Sequence, residues 1–196
     1  MEDTIAIDAV LLPPLEIWEW VVSLSRGIRE RNSSSAILLD ETHLPHITLV
    51  QACVDNLDDV LTVVGKSLTN VRPLELDVKS VIVDKNGTAG LDIVMTDELR
   101  RLHNSLMSGI EKFRRDVVSE SFYLDNGQTV GYGTLNWVKN FTQQAGYEKY
   151  LPHITLGQTD SPPEGKLKKF TAGRVAVCHL GNHCTCRKIL KEWRLT

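Results

Sequence analysis

Hydrophobic and polar positions fall into short runs whose spacing predicts a mixture of strands and helices. Residues 4–12 (TIAIDAVLL) are mostly apolar and β-branched, the pattern of a strand. Pro13 and Pro14 stop it and open a helix over 15–31, and the polar run from Asn32 to Ser35 reads as a loop. A short strand over 46–52 precedes a helix over 57–70, for which Asp55 is the expected N-cap. Residues 74–83 and 89–95 read as strands on either side of an Asn86-Gly87 turn. Thr96 is expected to cap a helix over 97–115, with Asp97 and Glu98 suiting its dipole. The second half is less regular. It suggests a strand over 117–124, a turn at Asp125-Asn126-Gly127, a helix over 134–145 and a strand over 153–157. A loop from Ser161 to Gly165 and two closing strands, 173–180 and 186–195 around Gly181-Asn182, complete it. Without strict βαβ alternation, the expected class is α+β with antiparallel sheets. No linker rich in Pro, Gly or Ser divides the chain, so residues 1–196 are expected to form one domain.

One segment occurs twice. Leu44-Pro45-His46-Ile47-Thr48-Leu49 returns unchanged as Leu151-Pro152-His153-Ile154-Thr155-Leu156. With average residue usage, a chance six-residue repeat in such a chain has odds on the order of one in a thousand. The chain therefore reads as two related halves. In a strand, His46 and Thr48 point to one face while Ile47 and Leu49 point to the other, and His153 and Thr155 follow the same rule. If the two strands meet about a pseudo-twofold axis, two imidazoles and two hydroxyls converge on one cleft.

That set suits phosphodiester chemistry. An imidazole has an unperturbed pKa of about 6.5, so one histidine can serve as neutral base while the other is the charged acid. The base takes a proton from an attacking water, and the acid gives one to the departing ribose oxygen. Threonine hydroxyls can donate hydrogen bonds to the non-bridging oxygens as charge builds on them. Nothing in this scheme calls for a metal or a cofactor. The bland alternative is a relic of duplication whose histidines are structural, but that reading does not need the same His and Thr in both copies.

Two His-x-Thr motifs, each followed by an apolar residue and separated by about half the chain, resemble the signature of the 2H phosphoesterase superfamily. That family includes 2′,5′ RNA ligase-like proteins, cyclic nucleotide phosphodiesterases and enzymes that cut 2′,5′-oligoadenylate. The resemblance covers nearly the whole chain. It implies a bilobal fold, two pseudo-symmetric antiparallel sheets with flanking helices around a central cleft that His46, Thr48, His153 and Thr155 face. It also implies hydrolysis of a 2′,3′-cyclic phosphate or a related nucleotide diester. A 2′,5′-oligonucleotide phosphodiesterase or RNA end-processing enzyme would share the site, and a nucleotide-binding module with little turnover is the alternative outside catalysis. Members often stack a base on an aromatic ring, which makes Tyr150, Tyr132 and Trp137 candidate substrate contacts. Tyr123 lies in the same stretch.

Composition narrows the partners. With 22 Lys and Arg against 25 Asp and Glu, the net charge is -3, and aromatics are 6% of the chain. Long double-stranded nucleic acid is a poor partner for such a surface, whereas one nucleotide or RNA end in a local pocket is not. No apolar run reaches the length of a membrane span, and the acidic start Met1-Glu2-Asp3 lacks the basic region of a signal peptide. A cytoplasmic, reduced and monomeric protein is the expectation. Cys178, His179, His183, Cys184 and Cys186 form a dense Cys/His cluster whose spacing matches no common zinc pattern. His43 is expected at the cleft rim or in solvent, and His103 at the surface or boundary of its helix. Gly127, Gly131 and Gly133 form no GxGxxG or Walker sequence and read as a flexible loop near the cleft. Lys166, Lys168 and Lys169 read as a solvated face or a guide for a longer RNA.

Overall fold

In the computed structural model of the protein, the described residues are 4–124, 127, 129–164 and 167–196. They form two four-stranded antiparallel sheets with helices packed against them, so the α+β architecture expected from the sequence is what the chain adopts. The first sheet has the order β2-β1-β7-β8, from Ile47–Val54 (β2), Ile5–Leu12 (β1), Arg174–Leu180 (β7) and Cys186–Arg194 (β8). The second has the order β5-β4-β3-β6, from His153–Gln158 (β5), Thr88–Ile93 (β4), Leu74–Val83 (β3) and Lys169–Ala172 (β6). Each copy of the repeat therefore lies on the edge strand of its sheet, β2 in one and β5 in the other.

The register shows the two halves to be related in detail. Thr48 lies opposite Val10 and Ile47 opposite Leu11; Thr155 lies opposite Gly90 and Ile154 opposite Leu91. Both ladders then slip at the same place. Val50 pairs with Ala9 and Gly157 with Ala89, which leaves Leu49 and Leu156 as the extra residues of two equivalent β-bulges. Beyond the bulges, Gln51 lies opposite Asp8 and Gln158 opposite Thr88.

The helices follow the hydrophobic pattern. α1 spans Leu15–Arg31 and buries Ile17, Val21 and Ile28 on one stripe. α2 spans Leu57–Ser67, but its N-cap is Asn56, whose side chain accepts from the Asp59 N–H, and not Asp55. Asp55 is instead drawn to Thr4, at 2.5 Å, and to Arg115. α3 spans Asp97–Glu111 and is capped by Thr96 as expected; Leu99, Leu102, His103, Leu106, Met107 and Ile110 are its buried stripe. The helix ends before 115 because the chain turns back to the first sheet, where the Arg115 N–H reaches the Cys53 carbonyl.

Two further expectations needed revision, and one strand was not foreseen. Residues 117–124 are not a strand; they hold one 3-10 turn, Glu120–Phe122, and bury Tyr123 against Ala6, Cys53 and Leu180. The helix expected over 134–145 starts earlier and breaks in two, α4 (Tyr132–Lys139) and α5 (Phe141–Ala145), at Asn140, which sits at φ -102, ψ 16. β6 was not foreseen, and it extends the second sheet by pairing with β3. Of the turn at 125–127, Asp125 and Asn126 lie outside the described residues, as do Gly165 and Lys166.

One buried cluster takes residues from both sheets and from α1, α2 and α3. Ile47, Leu49, Ile154 and Leu156 are all 0% exposed within it. α2 and α3 approach closely at Gly109, where an added Cβ would lie 2.7 Å from Val63 Cγ1. Gly109→Val is therefore expected to cost about 1–3 kcal/mol through overpacking, measured by urea unfolding. A variant as stable as the native chain would mean that α2 moves aside freely.

Candidate active site

The repeated hexapeptide builds the same local structure twice. Leu44 and Leu151 precede proline, which pushes them to extended backbone. The carbonyl of each then accepts a hydrogen bond from the histidine two residues on: His46 Nδ1 to the Leu44 oxygen at 2.6 Å, and His153 Nδ1 to the Leu151 oxygen at 2.9 Å. A carbonyl can only accept, so Nδ1 carries the proton in both rings. In the neutral imidazole this leaves Nε2 with a free lone pair. His46, Thr48, His153 and Thr155 all line one cleft of about 580 Å³, the size of a mononucleotide pocket.

The two halves of the cleft differ in burial and in what stands behind the motif. His46 is largely buried, its side chain 13% exposed, and His153 is exposed. Asp8 on β1 is completely buried behind the first motif. Its Oδ2 lies 2.8 Å from Thr48 Oγ1, accepts from Gln51 Nε2 at 2.7 Å, and is 3.6 Å from His46 Nε2. The Trp137 indole N–H in turn donates to Gln51 Oε1 at 3.0 Å, which fixes the orientation of that amide. In the second half the residue equivalent to Asp8 is Thr88, which also lines the cleft.

Burial dominates the electrostatics. It pushes the Asp8 carboxyl up to about 8, against the hydrogen bonds of Gln51 and Thr48. It pushes the His46 imidazole down to about 4, with His153 near enough to add to the effect. His103, expected near the surface, is wholly buried. Its Nδ1 donates to the Leu49 oxygen at 2.7 Å and its Nε2 accepts from the Tyr147 N–H at 2.8 Å, so both nitrogens are satisfied only in the neutral ring. Burial lowers its pKa to about 4 as well.

The aromatic candidates separate. Tyr150 is buried in the cleft wall, its ring stacked on His103 at 3.9 Å and its hydroxyl donating to the Thr48 carbonyl at 2.9 Å, so one face is already taken. Trp137 is 37% exposed and lines the cleft. Tyr132 is 80% exposed at the start of α4 and is not part of the lining. Tyr123 packs beneath the first sheet, its hydroxyl beside the Cys53 thiol.

The Cys/His cluster does not come together as one set. Cys178 and Cys186 are buried, His179 bonds the Phe122 carbonyl, and His183 and Cys184 line the cleft from a turn. All four cysteines are free thiols. Among the described residues, the potential ligand atoms that gather are those of Asp8, His46 and Cys186, within 4.8 Å of one another. Burial holds the Cys186 thiol well above its ordinary range. His43 is bound to Asp40 at 3.0 Å and to Arg187, away from the cleft lining. Gly131 donates to Asn182 and Gly133 lines the cleft, so this stretch is pinned to the β7–β8 turn. Lys168 and Lys169 pair with Glu16 and Asp77. No helix among the described residues is long and apolar enough to cross a membrane.

The family model of the 2′-5′ RNA ligase superfamily matches residues 13–179. The chain belongs to this superfamily, the 2H phosphoesterases. Solved structures agree on the fold. E. coli LigT complexed with ATP has a TM-score of 0.63 at 15% identity, covering 100% of this chain and 99% of LigT. TT0787 of Thermus thermophilus has a TM-score of 0.64 at 15% identity over 97% and 98% of the two chains. LigT complexed with 3′-AMP has a TM-score of 0.56 at 14% identity over 100% and 99%. No curated protein sequence matches the chain.

The three buried groups predict a stability maximum. His46 and His103 titrate below their unfolded value of 6.5, so the unfolded chain binds more protons between about pH 4 and 6.5, and stability is lost as pH falls through that window. Asp8 titrates above its unfolded value of 3.8, so stability is lost as pH rises towards about 8. Thermal melting from pH 4 to 9 should therefore peak near pH 6.5, and Asp8→Asn should remove the decline on the alkaline side. An equally steep alkaline decline in the variant would mean that Asp8 is already ionised.

Proposed function

We propose that this 2H phosphoesterase is a metal-independent phosphodiesterase that opens a 2′,3′-cyclic phosphate, or a closely related nucleotide diester, with His46 and His153. The observation that carries this reading is the paired anchoring of the two rings. Each Nδ1 is held by the carbonyl two residues back, and both histidines line one cleft.

The difference between the two sites suggests their roles. His46 is kept neutral by burial and suits the general base, whereas His153 is exposed and suits the acid. Water attacks phosphorus while His46 Nε2 takes its proton. The bond from phosphorus to one ribose oxygen breaks, and His153 gives that oxygen a proton. The product is a nucleoside phosphomonoester. Thr48 and Thr155 donate to the non-bridging oxygens, where charge builds in the transition state.

The lining also bears on substrate charge. Among the described residues no Lys or Arg lines the cleft, and Asp84 adds a carboxylate to its lining. One protonated histidine matches the single negative charge of a phosphodiester better than the higher charge of a polyphosphate. Trp137 offers the accessible aromatic face for a base. LigT has been solved with 3′-AMP, phosphate, ATP and NADP+, all of which carry phosphate groups.

Hydrolysis of 2′,3′-cyclic nucleotides in EDTA tests the reading. Turnover should survive the chelator and fall at least about 10²-fold in both His46→Ala and His153→Ala. The acid limb of kcat/KM should lie near pH 4, where His46 becomes protonated. Parallel trials with a 2′,5′-dinucleotide would reveal a preference for the longer substrate. Full activity in either histidine variant would overturn the two-histidine mechanism, and tight nucleotide binding without turnover would favour a binding module.

A further inference from the structure

The first motif has a buried carboxyl behind it and the second does not, and this asymmetry raises a hydrogen-bonding problem. Thr48 Oγ1 is 2.8 Å from Asp8 Oδ2. If Asp8 is a carboxylate, it can only accept, and the Thr48 hydroxyl hydrogen is committed to it. Thr48 would then have no proton for a phosphate oxygen. Thr155, its pseudo-equivalent, has Thr88 in place of Asp8, and its hydroxyl makes no hydrogen bond among the described residues. The two threonines can act alike only if Asp8 supplies a proton of its own.

We propose that Asp8 is a positioning residue for the first motif: its carboxyl, uncharged, donates to Thr48 Oγ1 and so frees the Thr48 hydroxyl hydrogen for a phosphate oxygen. The inference rests on the cleft being an anion site, as the proposed function requires.

The surroundings of Asp8 favour this form. Among the described residues, the groups that face it and can titrate are His46 just before β2, Cys178 on β7, Cys186 on β8, Cys184 in the turn before β8, and Tyr150 just before β5. None is a Lys or Arg, and the one base, His46, is itself held neutral by burial. A carboxylate here would be a buried charge without a counterion, set behind the position of an anionic substrate. The position of the proton follows from its acceptors. Asp8 Oδ1 is buried without a hydrogen-bond partner, whereas Oδ2 has Thr48 Oγ1 in range. Gln51 cannot take the proton. The Trp137 indole occupies its carbonyl, and its amide nitrogen donates to Oδ2. Burial supports the same assignment by lifting Asp8 to about 8. Above that pH, ionisation would recapture the Thr48 hydrogen and set a negative charge against the phosphate.

A double-mutant cycle tests the route through Thr48, read as affinity for inorganic phosphate at pH 6. Asparagine cannot imitate the neutral acid, because Gln51 requires an acceptor at the Oδ2 position. Asp8→Asn should therefore weaken phosphate binding about tenfold in the native chain, the worth of one hydrogen bond. It should weaken it little in the Thr48→Val background, and fully in the Thr155→Val background. Equal losses in all three backgrounds would overturn the proposal. Carbon-13 NMR of aspartate-labelled native protein gives a second measurement that needs no variant to fold. One carboxyl resonance should titrate near pH 8, and its absence, with every aspartate titrating near 4, would also overturn the proposal. Neither readout needs turnover. A protein that binds phosphate with this coupling but hydrolyses no diester would disprove the proposed function and leave the role of Asp8 standing.

Discussion

The cleft depends on one constraint: Ile47, Leu49, Ile154 and Leu156 must all reach a common core. Because side chains alternate along a strand, burying these four residues drives His46, Thr48, His153 and Thr155 to the opposite face. No separate device is needed to aim the polar set. Placing both strands at sheet edges then lets the two polar faces share one space, which paired neighbours on both sides would prevent. The Leu-Pro step ahead of each histidine completes the arrangement by offering a carbonyl to Nδ1. The proline, histidine, isoleucine, threonine and second leucine of the hexapeptide thus each have a physical task, whereas the first leucine supplies a backbone carbonyl and its side chain is buried in one copy and exposed in the other.

Much of this was legible because the repeat states it twice. The fold class, the strands carrying the motifs, the Thr96 cap and the Asn86-Gly87 turn all follow local rules that no tertiary contact overrides. The errors came where tertiary contacts do decide. Tyr123 looks like part of a strand by composition but is buried by packing under the first sheet. Asp55 is a good cap by type, yet Thr4 and Arg115 compete for it and Asn56 takes the cap. His103 was misjudged although the signal was present: it falls on the same i, i+3, i+4 stripe as Leu99, Leu102, Leu106 and Met107.

Asp8 and Gln51 escaped for different reasons. Asp8 is the lone carboxylate in a strand of apolar residues, which by itself marks a position where a buried polar group has a purpose. Gln51 was hidden by the bulge. Strict alternation from Thr48 would send it to the core, but Leu49 and Val50 both enter the core and shift Gln51 into the cleft. A bulge of this kind leaves no local mark in the sequence, although it recurs at Leu156 in the second half.

The departures from symmetry are where function is expected to reside. Two identical histidine sites would titrate together, and a reaction that needs one base and one acid would then find its working state only in part of the population. Burying His46 while exposing His153 makes the two sites unequal, because desolvation opposes the charged form of His46. The same dry environment cannot hold an ionised Asp8 without cost, so neutrality of the carboxyl and neutrality of the imidazole have one cause. Both groups lower stability at some pH, and neither would be chosen for the core by packing alone. A buried acid and a buried base 3.6 Å apart are consistent with a fold that has given up stability to make one half of a duplicated site different from the other.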